Sequence, residues 1–127
     1  MISGGHVMVL VSDMDAAVNF YTQALAMKLN DRFGNHWATV DAGKGLVIGL
    51  HPASPKFPAP GTKGGMMIGL ETDEPIEAVV DRLQRTGVRF NGPIVKDKSG
   101  NFAGFEDLDG NPFYLWEMKP EPEPASA

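Results

Sequence analysis

The sequence predicts an α+β fold in which two tandem βαβββ modules share one core and enclose a cavity between them. Three observations predict it. Residues 4–51 and 64–118 run through the same order of strand, helix and three strands. Ala17-Val18 and Met27 to Asn30 return as Ala78-Val79 and Val88 to Asn91 at a constant offset of 61 residues. Trp37-Ala38 through Leu50 matches Phe102-Ala103 through Leu115 at an offset of 65, which sets Gly49 over Tyr114. A repeated unit too small to close its own core packs on its twin, and the seam is a natural place for a pocket.

Each element has a local reason. From Gly5 to Ser12 the run His-Val-Met-Val-Leu-Val is apolar on both faces, as a strand covered on each side should be. Ser12 or Asp13 caps the helix that follows, whose stripe Met14, Ala17, Val18, Tyr21 and Leu25 falls at helical spacing and ends near Ala26. Lys28 to Phe33, Asn35 to Asp41 and Leu46 to His51 read as a three-stranded meander with turns at Gly34 and at Ala42 to Gly45. Residues 52–63 carry four prolines and no hydrophobic period, so they read as an extended linker. Met66 to Leu70 opens the second module. Its helix has Pro75 in the first turn, Ile76, Val79, Val80 and Leu83 on the buried side and Gly87 at the end. Strands near Val88 to Phe90, Asn101 to Glu106 and Pro112 to Glu117 follow, the last two joined by the Asp107 to Asn111 turn. The whole reads as a single domain over residues 1–119, with a Pro/Glu-rich disordered tail at 120–127.

Composition narrows the chemistry. With 127 residues, a formal charge of −5, a pI near 5.0 and no basic run, the chain is a poor match for nucleic acid, whose binding draws on clustered Lys and Arg. The absence of cysteine removes disulfides, thiolate ligands and thiol nucleophiles, leaving His, carboxylates and Tyr for any reaction. No signal-peptide pattern and no run of about 20 apolar residues is present, so a cytoplasmic protein without membrane contact is expected.

Three stretches carry a likeness to a known family: His6 through Tyr21, Met66 through Val79, and Gly104-Phe-Glu-Asp-Leu-Asp-Gly-Asn-Pro-Phe-Tyr-Leu-Trp-Glu117. On these the chain resembles the vicinal-oxygen-chelate superfamily, which includes glyoxalase I, fosfomycin-resistance enzymes, extradiol dioxygenases and bleomycin-binding proteins. The resemblance implies paired modules forming curled mixed sheets around a cavity, commonly in homodimers. Metal-using members hold a divalent ion with His and Glu from the first and last strands of the modules. Here the first such position falls on His6, seven residues before Asp13; the one opening the second module falls on Gly65, and the last-strand pair falls on Gly49 and Tyr114. A catalytic divalent site needs about three protein ligands, and one histidine does not supply them.

Strand alternation puts Gly49 with His51 and Tyr114 with Trp116 on the cavity face, while Ile48, Leu50, Phe113 and Leu115 point to the helices. Glu117 falls on the helix side unless a bulge intervenes. A two-residue turn at Gly43-Lys44 would set His36 opposite His51, and a one-residue shift would set Trp37 there instead. His6 also reads as a strand-start histidine bonded to backbone, His51 as a rim residue, and Tyr114 and Trp116 either as core aromatics or as platforms for a flat ligand. Asp109-Gly110-Asn111 is explained by its turn, and Glu106 and Asp107 read as strand-end and turn charges. Met8, Met66 and Met67 suit either a core or an adaptable pocket.

The expected function is metal-independent binding of a small organic molecule, with His6, His36, Trp37, Gly49, His51, Gly65, Tyr114 and Trp116 around the ligand and no cofactor. The alternative is a glyoxalase- or dioxygenase-like enzyme with an altered Zn, Ni, Mn or Fe site at His6 and His51, the only side chains eligible as ligands. A third reading is a structural module with no ligand.

Overall fold

The computed structural model describes residues 1, 3, 5–61, 66–98 and 100–118; the expected tail at 120–127 lies outside them, as does Gly65. Each module folds as the sequence predicts, into a four-stranded mixed sheet backed by a helix. In the first, β1 (Val7–Val11), α1 (Met14–Asn19), β2 (Lys28–Phe33), β3 (Trp37–Gly43) and β4 (Leu46–Pro52) give the order β1-β4-β3-β2. In the second, β5 (Ile68–Glu71), α2 (Ile76–Arg85), β6 (Val95–Lys96), β7 (Gly100–Glu106) and β8 (Pro112–Met118) give β5-β8-β7-β6. The first and last strands of each module pair in parallel, because a helix must carry the chain back between them, and the other neighbours are antiparallel. Among the described residues no helix is long and apolar enough to cross a membrane.

One core serves both sheets. Val9, Val11, Ile48 and Leu50 from the first and Ala103, Phe105, Phe113 and Leu115 from the second join Met14, Val18, Ile76 and Leu83 of the helices in a continuous cluster. Burial alternates along β3 and β8, so each sheet turns one face to the helices and leaves the other open.

Two elements depart from expectation for local reasons. Asp13 caps α1 by accepting from the Ala16 N–H at 3.0 Å, but beyond Asn19 the helix widens into a π-type turn over Phe20–Ala24. The wider turn buries both Phe20 and Tyr21, successive residues that a regular apolar stripe would not place together. The helix closes at Ala26, whose φ of 58° reverses the chain. In the second module the strand expected at Val88 to Phe90 shrinks to a single bridge between Phe90 and Phe105. Asn91 still donates to the Gly104 carbonyl at 2.8 Å, after which Gly92 and Pro93 interrupt the edge and pairing resumes only at Val95–Lys96. Proline has no N–H for the ladder, so the break lies where the sequence puts it.

The turn between β7 and β8 fastens the modules together, a larger role than that of the turn charge expected at Asp107. Asp107 is buried, and its carboxylate accepts from the Tyr21 hydroxyl at 2.7 Å, from the backbone N–H of Asp109 and Asn111 at 3.0 and 2.8 Å, and from the Asn111 amide at 2.8 Å. Asn111 also donates to the Leu10 carbonyl and accepts from the Gly61 N–H, while Asp109 accepts from the Ser12 N–H. Gly61 has φ +76°, and a Cβ there would meet the Asp109 carbonyl oxygen at 2.0 Å, so only glycine fits the approach.

Replacing Tyr21 with Phe is expected to lower the unfolding free energy by about 1.5–3 kcal/mol, the range for a hydrogen bond to a charged group, read as a fall in the urea midpoint. Burial, then the neighbouring Asp107 and Asp109 carboxylates, push the Tyr21 hydroxyl well above its ordinary pKa of 10.0. A proton held more tightly in the folded state stabilises fully below the unfolded pKa, and that contribution is lost as pH rises through the folded one. Wild-type protein should therefore lose stability above about pH 10, and Tyr21→Phe should lose less of it over the same window.

Candidate functional site

The two modules use glycine differently on their open faces. In the first, a bulge at Ala42 shifts the β3–β4 register, so that Asp41 pairs with Val47 but Gly43 with Leu46. Ala38 then pairs with Leu50, which brings Trp37, rather than His36, alongside His51. The Trp37 ring leans over Gly49 so closely that a Cβ there would sit 2.2 Å from it. His6 meets this indole edge-on at 5.2 Å between ring centroids, His51 does so at 6.3 Å, and Phe57 from the linker covers His51 at 4.8 Å. Trp37 therefore fills the centre of the first face. His36 is exposed in the hairpin between β2 and β3, away from the group it was expected to join.

In the second module the large ring and the glycine exchange strands. The residue matching Gly49 is Tyr114, and the residue facing it on β7 is Gly104. Tyr114 leans the other way, over Gly69 of β5, where a Cβ would lie 2.5 Å from its ring. Trp116 leans over Gly100 at 2.8 Å. Among the described residues nothing lies over Gly104 closer than the Asn91 amide at 3.6 Å. The interrupted edge at Asn91 to Pro93 and the uncovered Gly104 together leave an open cleft of about 750 Å³, walled by Phe102, Tyr114, Trp116, Met67 and Val95. Its size falls in the usual range for small-molecule sites, and its walls are mostly apolar.

The predicted residues thus divide into two groups. Tyr114 and Trp116 line the cleft; His6, Trp37, Gly49 and His51 form the aromatic cluster on the other module. Met67, which the sequence offered to either a core or an adaptable pocket, lines the cleft, and Glu71, Asn91, Phe102 and Gly104 line it without having been singled out. Phe102 and Gly104 were available from the 65-residue offset and strand alternation. Glu71 and Asn91 were not, because their positions depend on where β5 ends and β6 breaks.

The ligand positions implied for a divalent ion do not fit one. Met8 pairs with Gly49 and Gly69 with Tyr114, so the strand register matches His6 with Met67; the glycine at position 65 lies outside the described residues. The four positions are then His6, Met67, Gly49 and Tyr114, with one nitrogen ligand among them. His51 pairs with Leu10, four residues beyond His6, which is roughly 13 Å along the strand at about 3.3 Å per residue. Two imidazoles sharing an ion must each approach it to about 2.1 Å, and here both abut the Trp37 ring instead. His51 Nδ1 donates to the Pro52 carbonyl at 2.8 Å. Glu117 stays on the helix side of an unbroken ladder, paired with Asn101 and accepting from its amide at 3.0 Å. Among the described residues no three His, Asp or Glu side chains converge as a ligand set.

Comparison with known proteins agrees with this architecture. The family profile described as the Glyoxalase/Bleomycin resistance protein/Dioxygenase superfamily matches residues 4–115. The chain belongs to that superfamily. Among solved structures in the superfamily's fold, it is similar to TnmS3, an antibiotic-binding protein from Streptomyces sp. CB03234, with 32% identity, 94% of this chain and 100% of that chain covered, and a TM-score of 0.73. A glyoxalase/bleomycin resistance protein from the same strain is 33% identical over 90% of this chain and 99% of its own, with a TM-score of 0.71. An uncharacterized protein of Shewanella frigidimarina is 28% identical, with 89% of each chain covered. Superfamily membership establishes the fold. The chemistry must come from the side chains on the two faces.

Gly49→Ala is expected to force the Trp37 ring off the first face at a cost of about 1–3 kcal/mol, as for other overpacked positions. Measured in a Trp116→Phe background, where Trp37 is the only tryptophan, the emission should move to the red as the indole meets water. Unchanged emission and stability would show that Trp37 does not rest on Gly49.

Proposed function

We propose that the chain binds a small, flat organic molecule in the cleft of its second module without a divalent metal. One observation carries this reading: Phe102, Tyr114 and Trp116 surround a bare stretch of β7 at Gly104 that a planar guest could cover. Aromatic rings recognise such a guest by stacking, each contact contributing about 0.5–1.5 kcal/mol beyond the apolar area removed from water. The absence of a fitting ligand set at His6, Met67, Gly49 and Tyr114 supports recognition by shape. So does similarity, at 32% identity, to a protein described as antibiotic-binding. The reading includes a homodimer, as the family resemblance implies, and a cytoplasmic location. Sedimentation equilibrium would report twice the 13.7 kDa chain mass for the dimer.

Gly104 provides the test. Its backbone angle is an ordinary one and a Cβ there meets only van der Waals contacts, so a larger side chain is accommodated by filling the cleft. Gly104→Leu is expected to keep its unfolding midpoint and to weaken binding of a planar tricycle such as acridone at least tenfold, followed by quenching of tryptophan fluorescence. Equal affinity in wild type and variant would place the guest elsewhere. For the enzyme reading at His6 and His51, uptake of about one equivalent of Zn, Ni, Mn or Fe by purified protein, abolished by His6→Ala, would overturn metal independence.

A further inference from the structure

The cleft has one charged wall. Among the described residues that line it, Glu71 is the only one with a formal charge at neutral pH; Asn91 and Tyr114 supply neutral polar groups. Glu71 pairs with Trp116 across the β5–β8 ladder, which places its carboxylate at the same end of the cleft as the indole. A carboxylate next to an aromatic platform favours a guest that is both flat and cationic, because stacking fixes the plane while the charge fixes its direction.

The carboxylate already has a partner, and the partner comes from the other module. Lys44 Nζ lies 2.8 Å from Glu71 Oε2, reaching across from the β3–β4 hairpin. That hairpin is held in an unusual conformation, with Gly43, Lys44 and Gly45 at φ values of 104°, 52° and 82°. A lysine in the left-handed region is disfavoured by its Cβ, so the hairpin carries a small backbone cost while holding the ammonium against Glu71. Both side chains are exposed, at 85% for Lys44 and 61% for Glu71. Such a pair contributes little to stability and is readily exchanged for another cation.

We propose that Glu71 is the specificity-determining residue of the cleft, selecting planar aromatic ligands that carry a cationic nitrogen, with Lys44 occupying the carboxylate until such a ligand displaces it. This rests on the cleft being a ligand site. It adds the class of ligand, a polycyclic aromatic with a ring nitrogen or amidine protonated at neutral pH, and a competitor built into the chain. A guest bearing a carboxylate or sulfonate would meet Glu71 as a like charge and be disfavoured.

Three linear tricycles of similar size separate the outcomes: cationic proflavine, neutral acridone and anionic anthracene-9-carboxylate, each titrated into the full chain and followed by tryptophan quenching. Wild-type protein should bind proflavine about three- to fivefold more tightly than acridone, as expected for one exposed charge pair, and bind the anion more weakly than either. The cation-to-neutral ratio should fall toward one in Glu71→Gln and between about 0.02 and 0.5 M salt, where screening shortens from roughly 20 Å to 4 Å. It should rise in Lys44→Asn, which removes the competitor and suits the left-handed backbone position. A ratio that is unchanged in Glu71→Gln, or that does not rise in Lys44→Asn, overturns the proposal while leaving the cleft as a neutral aromatic site. If none of the three probes binds, the cleft reading fails and charge selection falls with it.

Discussion

The Asp107 carboxylate is the constraint on which the rest of the structure depends. A carboxylate buried at 7% exposure is costly unless its oxygens are satisfied, and here four donors satisfy them. Three of those donors come from the same turn and shape it. The fourth, the Tyr21 hydroxyl, comes from the first module, and it reaches the carboxylate because the helix widens over Phe20–Ala24. The turn in turn holds β1 through Leu10, the helix entrance through Ser12 and the linker through Gly61. A duplicated fold needs its two halves locked in one relative position if side chains from both are to meet. The Lys44–Glu71 pair is a second contact between the modules, made by exposed side chains.

Within that frame the duplication supplies one backbone and two different surfaces. Trp37 and Phe102 occupy matching positions, as do Gly49 and Tyr114, and Thr39 and Gly104. On the first face the bulky ring belongs to β3 and rests on a glycine of β4, so the middle of the sheet is covered. On the second face the bulky ring belongs to β8 and rests on a glycine of β5, so it tilts away from β7 and the backbone at Gly104 is left bare. Where the glycines fall, Gly49 on β4 in one module and Gly69, Gly100 and Gly104 on β5 and β7 in the other, sets which way the rings lean and leaves the aromatic-walled cleft on the second face. The Gly92-Pro93 break widens it by removing the neighbouring edge, where in the first module β2 stays paired from Lys28 to Phe33 apart from one bulge at Asn30.

Much of the fold was legible because a doubled pattern repeats its own strands, and register within a strand follows from alternation once one buried residue is known. The core faces of β4 and β8 were readable in this way from Ile48, Leu50, Phe113 and Leu115. The site was only half legible, and the failures have physical causes. A bulge at Ala42 leaves no mark that distinguishes it from a two-residue turn, yet it decides whether His36 or Trp37 faces inward. The π-type turn merges two neighbours, Phe20 and Tyr21, into one buried face that helical spacing would divide. Glu71 looks like any strand-end acid, and its partner is a lysine 27 residues away in sequence, on the other module. Asp107 similarly reads as a turn residue because its decisive partner, Tyr21, is 86 residues distant.

The side chains around the cleft also constrain what kind of recognition it can perform. An apolar wall discriminates weakly between guests, since one methylene more or less is worth about 1–3 kcal/mol and an added hydroxyl is hard to reject. A cleft framed by Phe102, Tyr114 and Trp116 alone would therefore accept many flat molecules with similar affinity. Methionine at Met67 relaxes it further, because an unbranched thioether repacks around guests of different outline. Sharp selectivity requires polar groups placed at fixed points, and the lining offers few: the Glu71 carboxylate, the Asn91 amide and the Tyr114 hydroxyl. Such a surface suits a protein that holds a class of related compounds better than one that must commit a single substrate to a defined reaction geometry, for which positioning to a fraction of an ångström is needed. On the proposed reading of the cleft as a binding site, Glu71 is the one described lining residue through which charge, rather than shape or neutral hydrogen bonding, can tell one flat guest from another.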